Sequence, residues 1–334
     1  MDGNYIYAPK NCSGSGGSEF KCHVPLENTV QKYVVDGQGD FNGLSLGRGE
    51  VMDKMLQVVQ IRSDQNKESL EYTTDYNLEE GSIAKVLLCS HTLSVCPFKT
   101  SEQVNVNVKS GAYLDMVIMQ NEHNLSDHNT TFNVQMAQDA TLNLYIVTLH
   151  GGAITNNIEI LLNGKGANCN VNGLYLADSN QRINTQVNIW HNVPGCLSNQ
   201  LFKGILDGES RTMFSGKIYV AKDAQKTEAY QANNNLLVSK KAKAYTQPHL
   251  EIYADDVKCS HGATVGSLDE NELFYMRSRG IALNEAKLLQ QQAFAYAVLD
   301  KIPNGQLKER LSAMVESRLR GEFTECGNCS KHCC

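Results

Sequence analysis

Apolar and polar residues alternate in short runs through the first 266 residues of the chain. The clearest are Gln103-Val-Asn-Val-Asn-Val108, Thr131-Phe-Asn-Val-Gln135, Thr141-Leu-Asn-Leu-Tyr-Ile-Val147, Asn157-Ile-Glu-Ile-Leu-Leu162, Thr185-Gln-Val-Asn-Ile-Trp190 and Gly216-Lys-Ile-Tyr-Val220. A period of two sends alternate side chains to opposite faces, so each run predicts a strand with one face buried. Turn-forming stretches such as Asn163-Gly-Lys-Gly166 and Asp207-Gly208 separate the runs. A sandwich or jelly roll would favour two-residue hairpins. Strand starts spaced roughly 10 to 25 residues apart fit the coils of a parallel β-helix better.

The period changes near residue 266. Ser267-Leu-Asp-Glu270 has the spacing of a capping box, with Ser267 as N-cap, and Leu273, Phe274 and Met276 follow before Gly280. A second helix is predicted from Asn284, with Leu288, Leu289, Ala293, Tyr296, Leu299 and Ile302 at helical spacing and a stop at Pro303-Asn-Gly305. A third, from about Gln306, carries Leu307, Leu311, Met314, Val315 and Leu319 on one stripe. Four regions result: an irregular N-terminal segment (1–24) containing the linker-like Ser13-Gly-Ser-Gly-Gly-Ser18, a β-helical core (25–266), a helical domain (267–321) and a cysteine-rich tail (322–334).

Composition narrows the function. The formal charge of -6 and the lack of a basic cluster longer than Lys240-Lys-Ala-Lys243 argue against a nucleic-acid partner. The start has no basic and apolar leader and the chain no membrane-length apolar run, so a cytoplasmic protein is expected. Neither a phosphate-binding Gly-x-x-x-x-Gly-Lys-Ser/Thr loop nor a Gly-x-Ser-x-Gly elbow occurs, so no nucleotide site and no enzyme activity are expected of this chain. Parallel β-helices also host polysaccharide-active enzymes. Asp255-Asp256 is the close acidic pair near the end of the β region, and neighbours on a strand point to opposite faces.

Of 11 cysteines, seven are scattered without the spacing of a disulfide framework, and most of these read as small buried apolar residues. Cys259-Ser-His261 places a thiol and an imidazole two residues apart, on one face of a strand. They are either iron ligands or a structural Cys beside a backbone-bonded His. The tail Cys326-Gly-Asn-Cys329-Ser-Lys-His-Cys333-Cys334 contains a C-x-x-C pair that can grip one metal ion, or is a loose, redox-prone terminus. His123, His128 and His150 read as structural.

The stretch Leu250-Glu-Ile-Tyr-Ala-Asp-Asp-Val-Lys-Cys-Ser-His-Gly-Ala-Thr264 resembles the hallmark of the SufB/SufD family of iron–sulfur cluster assembly proteins, in its SufD form. Leu273-Phe-Tyr-Met-Arg-Ser-Arg-Gly-Ile281, Phe214-Ser-Gly-Lys-Ile-Tyr-Val220, Tyr230-Gln-Ala-Asn-Asn-Asn-Leu-Leu237, Gln120-Asn-Glu-His123, Leu149-His-Gly-Gly152 and Asn172-Gly-Leu-Tyr-Leu176 continue the likeness over roughly residues 80–320. The resemblance implies a right-handed parallel β-helix followed by a small helical domain. It implies a scaffold rather than an enzyme, paired with a SufB-type paralogue and docking a SufC-type ATPase through its C-terminal helices. A cluster would assemble transiently at the SufB–SufD interface, with His261 as its metal-facing residue and Cys259 beside it. A homodimer through the SufB-facing edge is expected of the isolated chain. Family members usually carry an N-terminal helical domain, whereas here the β runs begin early. A stand-alone β-helical binding protein is the alternative.

Overall fold

The computed structural model describes residues 26–39, 41–63, 69–92 and 97–321, with the backbone of four short strands before them. Those strands, Tyr5–Tyr7 (β1), Lys10–Asn11 (β2), Gly14–Ser15 (β3) and Ser18–Phe20 (β4), form two antiparallel pairs, β1 with β4 and β2 with β3. The cysteines of the predicted tail, Cys326, Cys329 and Cys333, lie outside the described residues, as does Ser13 of the linker-like stretch.

From Thr29 onward the chain feeds strands alternately into two parallel sheets. Sheet one holds Thr29–Val35 (β5), Met55–Arg62 (β8), Ile83–Thr92 (β10), Tyr113–Asn121 (β12), Thr141–His150 (β14), Asn168–Ala177 (β16), Leu197–Leu206 (β18), Glu228–Leu237 (β20) and Lys258–Ser267 (β22). Gln38–Gly39 (β6) turns back on β5. Sheet two holds Gly43–Leu46 (β7), Ser69–Leu78 (β9), Phe98–Val108 (β11), Ser126–Met136 (β13), Ala153–Leu162 (β15), Arg182–His191 (β17), Arg211–Val220 (β19) and Lys243–Ile252 (β21). Thr141 pairs with Asn168 and Leu197 with Glu228, an advance of 27 and 31 residues per coil. The alternating runs are therefore the coils of a parallel β-helix, two long strands to a coil.

Inward side chains of both sheets, among them Leu144, Val171, Ile160 and Val187, form one continuous core. Outside, amides stack between coils: Asn199 donates to Asn170 (3.1 Å), Asn170 to Asn143 (2.9 Å) and Asn143 to Asp115 (2.8 Å). One corner repeats a left-handed backbone conformation. Gly49, Gly81, Gly111, Asp139, Gly166, Gly195 and Lys226 have φ between 54° and 76° there, and glycine adopts this region without a Cβ penalty. The Gly81 N–H donates to Ser110 and the Gly111 N–H to Gln138, so the corner is hydrogen-bonded from coil to coil.

Three helices follow, Glu270–Ser278 (α1), Leu283–Leu299 (α2) and Gly305–Leu319 (α3). The cap of α1 differs from the sequence reading. Ser267 is the last residue of β22, and Asp269 caps instead, accepting from the N–H groups of Asn271 (2.8 Å) and Glu272 (3.1 Å). A carboxylate one residue before the first turn satisfies two free donors and complements the helix dipole, so it outcompetes the hydroxyl. Asn304 caps α3 through Leu307 N–H (2.9 Å).

The helices lie against the outside of sheet one. Ala295, Val298, Leu299, Ile302, Leu307, Leu311 and Val315 pack on Leu87, Met119, Tyr145, Val147, Leu174 and Ile205. Sheet one is thus buried on both faces in its middle coils, while sheet two keeps one face to solvent. Arg318, 5% exposed, pins α3 to the solenoid. Its guanidinium donates to the Leu149 carbonyl (2.9 Å), Asp178 (2.6 Å) and Gln181 (3.4 Å).

Candidate functional site at the open end of the solenoid

The last coil has no neighbour beyond it among the described residues. β21 pairs only with β19, and β22 only with β20. Both outer edges therefore present free backbone donors and acceptors, the feature that invites strand addition. Pro248 inside β21 fits this position, because a proline is tolerated in an edge strand and not in a central one.

Register places Cys259 and His261 on the inward side of this open coil. Cys259 continues the column Leu142–Cys169–Ser198–Ala229, and His261 the column Leu144–Val171–Gln200–Gln231. The sequence expectation of one shared face is met. The Cys259 side chain is half-buried against the small cluster of Ile218, Val220, Ala224, Ala229 and Ala254. Burial pushes its thiol up, and a backbone hydrogen bond at Ala229 pulls it back in part. His261 is exposed because no coil stacks on it. Among the described residues no group of three or more His, Cys, Asp or Glu side chains is arranged to hold a metal ion. Cys259 and His261 thus stand two residues apart on one side of the open coil without a third such side chain grouped with them among the described residues.

Beneath His261, Gln231 is 3% exposed. Its Nε2 donates to Gln200 Oε1 (3.2 Å), and its Oε1 has no hydrogen-bond partner. Opposite, a Cβ at Gly216 would lie 1.6 Å from Gln231 Nε2, so only glycine leaves room for this amide.

A family model described as "SUF system FeS cluster assembly, SufBD core domain" matches residues 61–294, more than half of the chain, including Cys259, His261 and most of α2. The chain belongs to the SufB/SufD family. Within it the chain is SufD-like. The iron–sulfur cluster assembly protein SufD of Escherichia coli (strain K12) is 34% identical over 96% of this chain and 78% of its own length. A SufBD family protein of Synechocystis is 35% identical, covering 64% of this chain and 48% of that protein. Protein ABCI7, chloroplastic, of Arabidopsis thaliana is 29% identical, covering 66% of this chain and 46% of that protein. The match to these last two spans about half of their length.

Two other groups noted in the sequence have structural surroundings. Asp255 and Asp256 sit in the bend between β21 and β22 rather than on a strand. Asp256 pairs with Lys226, and its N–H donates to Gln225 (2.8 Å), so the pair stabilises a corner. Cys89, Cys169 and Cys196 are buried. Burial drives the Cys169 thiol up to about 12, which makes it inert as a nucleophile or ligand at neutral pH.

Sequence reasoning missed a buried charge cluster in the N-terminal coils. His128 Nδ1 contacts Glu122, and its Nε2 lies 3.6 Å from Glu102. Glu102 also accepts from Gln60 (2.7 Å). Burial alone would lower the His128 pKa, but the charge of Glu122 and the contacts with both carboxylates raise it to about 10. His150, whose Nδ1 meets the Glu122 carbonyl (2.5 Å), goes the other way. Burial and then Arg318 lower it to about 4. No motif marks this cluster: Glu122 and His128 lie six residues apart across one corner of a coil, and Glu102 joins them from the preceding coil.

Proposed function

We propose that the chain is the SufD-type scaffold subunit of a SUF complex in the cytoplasm, not an enzyme. It pairs with a SufB-type paralogue at the open end of its solenoid and docks a SufC-type ATPase through its helices. The observation that carries this reading is the open last coil, where two unpaired edges flank Cys259 and His261. Iron in a nascent cluster takes thiolate and imidazole ligands, commonly four to a metal. This chain offers two, so the others must come from the protein that covers the end. Iron and sulfide are the cargo of the reaction, held transiently at the interface. In isolation the same edges favour a homodimer.

The helices supply the second contact. Phe274 is 73% and Tyr275 59% exposed on α1, beside Arg277 and Arg279, while Leu273 points into the packing against Leu236, Leu268 and Ala286. Deleting the helices would uncover the apolar outside of sheet one, so point substitutions are the sounder test. Mixed with SufB-type and SufC-type proteins, the chain is expected to co-elute with both. Phe274→Glu combined with Tyr275→Ser is expected to weaken ATPase binding about tenfold or more, as loss of an aromatic anchor does, with SufB pairing retained. A chain that elutes alone, or ATPase binding indifferent to the double substitution, contradicts the reading.

The tail cysteines Cys326, Cys329 and Cys333 form a second candidate metal site, on the strength of the C-x-x-C spacing. Replacing all three with Ser is expected to lower the iron or zinc content of anaerobically prepared protein. Unchanged metal content removes the tail from the metal chemistry.

A further inference from the structure

We infer that Gln231 is a positioning residue for His261, holding the imidazole in one tautomer so that its other nitrogen faces the interface. The inference rests on the functional role proposed for His261, and it concerns the residue that prepares that histidine.

Four observations combine. Gln231 is the Cα partner of His261 in the parallel ladder, so their side chains are adjacent in one inward column. The Gln231 amide is held from below by the bond from its Nε2 to Gln200 Oε1 (3.2 Å) and lies over the space left by Gly216. Its Oε1 is buried without a partner, although leaving a buried acceptor unmatched costs about 1–3 kcal/mol. Finally, the inward side chains of β22 are Cys259, His261, Ala263 and Val265, and among them only the imidazole brings a strong donor. Pro248, which stacks on Gly216 in the facing sheet, brings none.

An imidazole whose N–H donates to Gln231 Oε1 keeps a lone pair on its other nitrogen. That orienting contact is what metal-facing histidines generally receive from a neighbouring acceptor. The ladder Gln200–Gln231–His261 thus carries order from the core outward, and Gly216 is part of the device because any side chain there would displace the amide. Thr246, whose hydroxyl is also unpartnered at this end of the solenoid, is the rival hydrogen-bond partner for Gln231.

The test is made on the isolated, metal-free chain by nitrogen-15 NMR, with His261→Ala to assign the ring resonances. One His261 tautomer is expected to dominate in the parent protein by about fivefold or more. Gln231→Leu, close in size but without an acceptor, is expected to abolish that bias, and Gly216→Ala to reduce it. Gln231→Glu, which retains an acceptor, is expected to preserve it, and Thr246→Val to leave it unchanged. In the full complex Gln231→Leu is expected to slow cluster formation about tenfold. An unaltered tautomer ratio in a folded Gln231→Leu protein, or a loss of bias in Thr246→Val instead, overturns the inference. Normal cluster formation by His261→Ala would contradict the functional reading and leave the tautomer result standing by itself.

Discussion

Replacing His261 with Ala is expected to leave folding and complex assembly intact and to cut cluster formation by more than the about 10–100-fold seen when a supporting neighbour of a metal ligand is lost. The side chain is exposed on the last strand, so its removal creates no cavity in the core. On the proposed reading, its loss leaves Cys259 as the remaining candidate ligand at the open end among the described residues. His261→Cys is expected to recover part of the rate, because thiolate is also an iron ligand. The measurement is cluster absorbance and acid-labile sulfide in the reconstituted complex. Parent-like rates from His261→Ala would make His261 a structural residue.

A second large effect is expected at the other end of the molecule, on stability rather than function. His128→Leu leaves Glu102 and Glu122 facing each other in the interior without the cation between them. Breaking a buried ion pair on one side costs about 3–5 kcal/mol. Arg62 is close enough to feel Glu122, but it is paired with Asp36 at 3.5 Å and does not replace the imidazolium. The pH dependence follows from the raised pKa of His128, from 6.5 to about 10. Its stabilisation is complete below pH 6.5 and fades as pH rises through about 10, where the folded state loses the proton. Urea unfolding of the parent should therefore show stability falling across that window, and His128→Leu should flatten the slope. An equally steep slope in the variant would show that other groups carry it.

Much of the β-helix was legible because strands of sheet two face solvent on one side and alternate cleanly, as in Gln103–Val108 and Thr131–Gln135. Sheet one looked less regular for a physical reason. Lys85-Val-Leu-Leu-Cys89 and Asp115-Met-Val-Ile-Met119 are apolar without alternation because helices cover their outer face. That difference was the available signal for which sheet the helices cover. The stripe of α3 was read correctly, but that of α2 was partly misplaced, since Leu289, Ala293 and Tyr296 are exposed while Ala286, Ala295 and Val298 are buried. Phe274 of α1 is exposed as well, and the start of α1 was missed because Ser267 was needed by the strand and Asp269 took the cap. At the candidate site, Cys259 and His261 stand two apart in a motif and were legible as candidates. Gln231 and Gly216 were not, because their approach to His261 depends on a register of about one coil, which no local pattern encodes. In the Glu102–His128–Glu122 cluster, Glu102 was hidden for the same reason, while Glu122 and His128 face each other across a corner that no local period predicts.

The order in which the chain is made gives the helical cover a further meaning. A ribosome delivers the coils first, and the growing solenoid holds Leu87, Met119, Val147 and Leu174 on an outer surface with nothing to cover it. Only after α2 and α3 have emerged can that strip be sealed, and Arg318 reaches back 169 residues to Leu149 to fasten it. Until then the nascent chain carries a long apolar stripe beside free strand edges, a combination prone to aggregation. Premature termination ahead of α2 would therefore be expected to yield an aggregation-prone protein rather than a functional short form.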